Sequence, residues 1–135
     1  MAVRYDPASI GGLMRSVYLL FAASLVLAGC IGMTQREIRA QAVEVRQTSV
    51  PASRVLECFK VELNDLARTV TYPHDSKVEV SIGAEQAGDY RLYYLVGIQP
   101  EGEATVLSIR RTARAFVPLP PQKFGALLDR CAPAM

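Results

Sequence analysis

The stretch "YRLYYLVGI", residues 90–98, decides how this chain folds. Tyr90, Leu92, Tyr94, Val96 and Ile98 alternate along it with Arg91, Tyr93 and Leu95. Successive side chains of a strand point to opposite faces, so a period of two predicts a strand. One face of this strand is wholly apolar. The other mixes Tyr93 and Leu95 with Arg91, which predicts a partly greasy outer face.

The neighbouring segments carry the same period. "KVEVSIG", residues 77–83, alternates Val78, Val80 and Ile82 with Lys77, Glu79 and Ser81, and reads as a second strand. The loop between the two strands contains Gly88. Downstream, "QPEG" puts Pro100 and Gly102 at turn positions. A return strand starts near Glu103, with Leu107, Ile109, Ala113, Ala115 and Val117 on one face. Ser108, Arg110, Thr112 and Arg114 fall on the other. A single strand over 103–117 would be long. A bend or bulge is therefore expected at 110–112, or a fourth strand beginning there.

Helical spacing brackets these strands. In "RVLECFKVELNDLART", Leu56, Phe59, Leu63 and Leu66 recur every three or four residues. Ser53 is a good N-cap, so a helix is expected over 54–69. Near the C-terminus Pro121 suits a first helical turn, and Phe124, Leu127, Leu128 and Cys131 share one face. The expected fold over 53–135 is α+β and two-layered: helix, a three- or four-stranded antiparallel sheet, helix. Both helices pack on the apolar face.

Upstream of this domain the composition changes. Arg15 precedes a run without charge over 17–28, a basic n-region before an apolar h-region. Even counted to Met33 the run is at the lower limit of the roughly 20 apolar residues that a spanning helix needs. It ends in Leu27, Ala28, Gly29 and Cys30. L-A-G-C resembles the lipobox of bacterial lipoproteins, a family defined by its export signal and not by its fold. The resemblance implies cleavage before Cys30, a diacylglycerol on its thiol and an acyl chain on its new amine. It implies no other cofactor. It also implies a membrane-anchored protein of the cell envelope. Ile31 stands where an Asp would mark inner-membrane retention, so the outer membrane, facing the periplasm, is expected. The alternative is an uncleaved signal anchor with an incidental Cys30. Residues 1–13 read as an extension ahead of the true start at Met14 or as part of a discarded leader. The signal peptide occupies 14–29. Residues 30–52, charged and without aromatics, read as a tether or as a short helix.

Three cysteines are present. With Cys30 taken by lipid, Cys58 and Cys131 remain as one pair in an oxidising compartment. Packing both helices on one sheet face brings them within reach, and the bridge staples the two helices together.

The rest of the sequence limits function more than it assigns it. The net charge of +2, with both signs interspersed, excludes a field strong enough to attract nucleic acid. His74 is the sole histidine, beside Asp75 in a loop, which is too little for a metal site. Neither a nucleophile elbow nor a phosphate loop is present. These features point to a protein that is not an enzyme and holds no metal. Its expected role is that of an accessory or assembly factor for an envelope protein partner. The alternative is a module for an envelope ligand: cell-wall glycan, lipopolysaccharide or an enzyme to be inhibited. The candidate partner face comprises Arg91, Tyr93, Leu95, Arg110, Arg114 and Phe116, because tyrosine and arginine beside apolar residues make binding hot spots. A cover from the tether or the C-terminus would hide it.

Overall fold

A computed structural model describes residues 32–135. The extension, the signal peptide and the lipidation site at Cys30 lie outside the described residues. The elements run α1 (Gln35–Arg39), β1 (Glu44–Thr48), α2 (Ala52–Leu63), a 3-10 turn (Asn64–Leu66), β2 (Ala67–Tyr72), β3 (Lys77–Gln86), β4 (Asp89–Glu101), β5 (Ala104–Arg111) and α3 (Pro121–Cys131). The five strands form one antiparallel sheet in the order β1-β5-β4-β3-β2.

The α+β class and the disulfide joining two helices agree with the sequence reading, but the sheet has five strands instead of three or four, and a third helix, α1, lies on its second face, where the two-layer expectation had none. Both additional strands lie at its edges. β1 comes from the stretch expected as a tether, and β2 from residues assigned to the end of a helix and the loop after it. The expected helix over 54–69 stops at Leu63, where Asn64 turns the chain with φ of 45°. Asparagine tolerates this left-handed region better than most side chains. The helix also begins two residues earlier than expected, at Ala52. Its N-cap is Pro51, not Ser53, and no side chain caps it.

On the first face of the sheet lie Val80 and Ile82 of β3, Tyr94, Val96 and Ile98 of β4, and Leu107 and Ile109 of β5. Val55, Phe59 and Leu63 of α2 and Phe124, Leu127 and Leu128 of α3 pack on them, all buried. The Tyr94 and Phe124 rings stack at 4.0 Å. Cys58 and Cys131 are joined by a disulfide between these two helices, with Cα atoms 5.5 Å apart. The bridge closes a loop of 73 residues.

The bulge is not at 110–112. β4 and β5 stay in register from Glu101↔Ala104 to Tyr94↔Arg111, and β5 then ends. The irregularity is between β3 and β4, where Ile82 pairs with Tyr94 but Gly83 pairs with Leu92, leaving Tyr93 extra. A Cβ on Gly83 would lie 1.9 Å from the Arg91 carbonyl oxygen, so only glycine lets the two backbones approach this closely. The bulge breaks the alternation read from residues 90–98. Tyr94, Val96 and Ile98 keep the first face, whereas Leu92 and Tyr90 move to the second beside Leu95. One inserted residue exchanges the faces of everything beyond it.

Candidate functional site

The second face of the sheet is where the sequence placed a partner site. α1 occupies part of it. Its N-terminus is fixed by a capping box: the Thr34 hydroxyl accepts from the Glu37 N–H at 3.3 Å, and Glu37 accepts from the Thr34 N–H at 2.7 Å. That backbone donor, the largest influence on Glu37, holds its carboxyl below the usual carboxylate range. Ile38 is then directed onto Leu92 and Leu95, and all three are buried. Just upstream, Met33 exchanges two backbone hydrogen bonds of 2.8 Å with Leu92. Gly32 donates to Gln86 Oε1 at 3.0 Å, and its carbonyl accepts from Arg114 Nη1 at 3.3 Å.

An ion pair completes the attachment of α1. Arg39 grips Glu79 of β3 with two hydrogen bonds, 2.9 and 2.5 Å. The Glu79 side chain is buried, while that of Arg39 is almost half exposed. Tyr72 donates its hydroxyl to Glu79 at 3.3 Å, and Lys77 Nζ lies 3.9 Å away. Burial pushes the Glu79 carboxyl up. The Arg39 hydrogen bonds and charge, helped by Lys77 and Tyr72, outweigh burial and hold it below its ordinary value. The same contact pushes the Arg39 guanidinium up.

The expected partner face is therefore not an open surface. Tyr93, Leu95 and Phe116 are buried. Leu95 lies beneath Ile38. Tyr93 stacks on Phe116 at 4.2 Å and accepts a hydrogen bond from Gln86 at 2.8 Å. Arg91 is half-buried, with Asp89 at 3.5 Å, and Arg110 is half-buried opposite Leu95. Arg114 is turned back toward Gly32. The arginines of 110–114 do not gather into a patch, since Arg111 pairs with Glu44 at 2.7 Å and sits over Phe124. The cover comes from the segment read as a tether. Its signal was the T-x-x-E spacing of Thr34 and Glu37.

What remains open on the second face is its β2 side. Arg68, Val70 and Tyr72 lie there in a row, opposite Ser81, Glu79 and Lys77 of β3. Every residue of β2 except Ala67 is exposed. A groove of about 240 Å³ runs between α1 and this edge, lined by Gln35, Arg68, Val70, Ser81, Tyr90 and Leu92. Arg68 lies 3.9 Å over the Tyr90 ring and pairs with Glu85. Burial pushes the Tyr90 hydroxyl up, against the nearby Arg68 charge. That hydroxyl donates to the backbone carbonyls of Ser81 and Leu66, at 3.0 and 3.1 Å. This is an edge strand beside an aromatic-floored groove, an arrangement suited to receiving extended backbone.

No family model, curated protein or solved structure matches the chain. Among the described residues, no three His, Cys, Asp or Glu side chains gather as a metal site, and His74 is exposed in the β2–β3 turn. No helix among them is long and apolar enough to cross a membrane.

Proposed function

We propose that the chain is a lipid-anchored, non-catalytic envelope lipoprotein that serves as an accessory or assembly factor through protein contacts. The observation that carries the reading is the Cys58–Cys131 bridge. Disulfides persist in oxidising compartments. With two of the three cysteines joined, Cys30 is the one that remains, at the end of L-A-G-C. Lipid on that thiol accounts for all three. Two or more acyl chains on one residue hold a protein firmly, because each buried methylene contributes about 0.8 kcal/mol.

The start of the fold sharpens the proposal. The chain is held to the sheet from Gly32, bonded to Gln86 of β3, and Met33, bonded to Leu92 of β4, only two residues beyond Cys30. Two extended residues span about 7 Å. A lipid on Cys30 would therefore keep the domain close to the bilayer, without the long spacer expected over 30–52. Protein contacts are favoured by the open β2 edge, since an exposed strand offers unpaired backbone groups to another chain.

The test is mass analysis of the full chain made in bacteria and extracted from the envelope. The expected result is a protein that starts at Cys30 and carries diacylglycerol and acyl mass on that residue. An intact leader with an unmodified thiol overturns the proposal.

A further inference from the structure

The two edges of the sheet are not equivalent. β1 is the shorter, carries Glu44 and Arg46, and is met by the C-terminus, where the Met135 N–H donates to the Gln47 carbonyl at 3.1 Å. Short length, charge and a covering segment are the usual protections of a sheet edge. β2 shows fewer of them. Its sequence A-R-T-V-T-Y has one charge and no proline, and it pairs with β3 without a bulge. Val70 and Tyr72 are 48% and 37% exposed. Three consecutive β-branched residues, Thr69, Val70 and Thr71, stand where nothing in the described chain packs on their outer side.

We infer that β2 is a self-pairing edge, and that two copies of this chain join through it in antiparallel fashion to make a continuous ten-stranded sheet. A twofold axis perpendicular to the sheet keeps each side chain on its own face, so only residues of like parity come opposite. With the axis at Val70, Val70 meets Val70, Thr69 meets Thr71, and Arg68 meets Tyr72. The one charge in the strand decides this register. It sets Arg68 against an aromatic ring and leaves the two Arg68 Cα atoms four residues apart along the strands, roughly 13 Å. An axis at Thr69 would set them diagonally, at roughly 7–8 Å, where like charges oppose pairing.

The groove gives the second argument. Arg68, Val70 and Tyr72 share the second face, so the Tyr72 ring of the other copy is placed beside Arg68. Arg68 and Tyr90 line the groove there. An aromatic side chain against a guanidinium that already lies on a ring extends that stack. The two Val70 side chains, half exposed in the single chain, cover each other at the axis. The pairing depends on residues 67–72 and not on the fate of Cys30.

The test uses the full chain in two differently tagged copies, co-expressed and captured through one tag. Wild type should co-capture itself. Val70→Glu alone and Val70→Lys alone should each lose at least tenfold of that signal, since two like charges then meet at the axis. Val70→Glu with Val70→Lys should restore it. Val70→Cys should form a disulfide-linked homodimer, whereas Val61→Cys, on the exposed side of α2, should not. An intact Cys58–Cys131 bridge in each variant confirms that folding is retained. The inference is overturned if wild type does not co-capture itself, if both single-charge variants still do, or if the Val70→Cys adduct contains a different protein.

Discussion

The two faces of one sheet are covered in opposite ways. On the first, α2 and α3 lay down a continuous apolar layer and are tied to each other by Cys58–Cys131. On the second, a single turn and a half of helix covers Leu92 and Leu95 with one fully buried side chain, Ile38, and holds on through Arg39 and Glu79. Burial of many side chains by elements far apart in sequence makes the first face the seat of global stability. The cover of the second is local. A sheet therefore does not need two equal layers to bury both its faces. It does inherit a weak side, from which partial opening is expected to begin.

The largest expected effect tests the strong side. Replacing both Cys58 and Cys131 by Ser should lower the unfolding free energy by about 4 kcal/mol, the chain-entropy value for a loop of this length. Guanidinium denaturation followed by circular dichroism measures it. An unchanged midpoint would mean that the helices hold the first face without their bridge.

A smaller effect is expected on the weak side. Ile38→Ala removes most of a fully buried side chain, at about 2–3 kcal/mol. That loss should appear as faster amide exchange in 33–40 and at Leu92, with the global midpoint nearly unmoved. If the midpoint instead falls by the full amount, the two faces open together and the contrast between them fails.

The smallest effect separates the ion pair from the apolar contact. Arg39→Met leaves Glu79 buried without its principal partner, at about 1–3 kcal/mol. Glu79→Gln should cost less, because Arg39 reaches solvent. The folded state holds the Glu79 carboxyl below its ordinary value. The pair's contribution is thus fully present above the usual carboxylate range, and it disappears as the pH falls through the lowered value. In Arg39→Met, burial remains while the guanidinium is gone, so protonating Glu79 no longer breaks a pair and the acid release of α1 should be lost. Amide exchange in 35–39 across an acid series reads this loss. A profile unchanged by the substitution would assign the acid response to another group.

The legible and illegible parts of this fold differ by burial. α2 and α3 each bury one clean stripe, the three inner strands present an apolar first face to them, and these periods were visible in Leu56, Phe59 and Leu63, in Val80 and Ile82, and in Phe124 and Leu128. β1 and β2 are edges, and neither E-V-R-Q-T nor A-R-T-V-T-Y shows a buried alternation, because little of either strand is buried. The partner face was misplaced for a different reason. The alternation at residues 90–98 was real, but the bulge at Tyr93 reversed its outer half. Gly83, a glycine inside a strand pattern, was the local sign of it. The long-range contact of Ile38 with Leu95 had no sign in either segment by itself.

One detail at the start of the domain bears on mechanics. Met33 is bonded to Leu92 in β4, just beyond Tyr94↔Arg111 where β5 ends, and so lies beside the outer half of that strand. Tension drawn through the backbone ahead of Gly32 would thus be delivered to β4 and not to an edge strand. α1 follows immediately, so the first element such a pull would peel away is the one that hides Leu95. Traction on the backbone ahead of Gly32 and exposure of that greasy patch are mechanically one event.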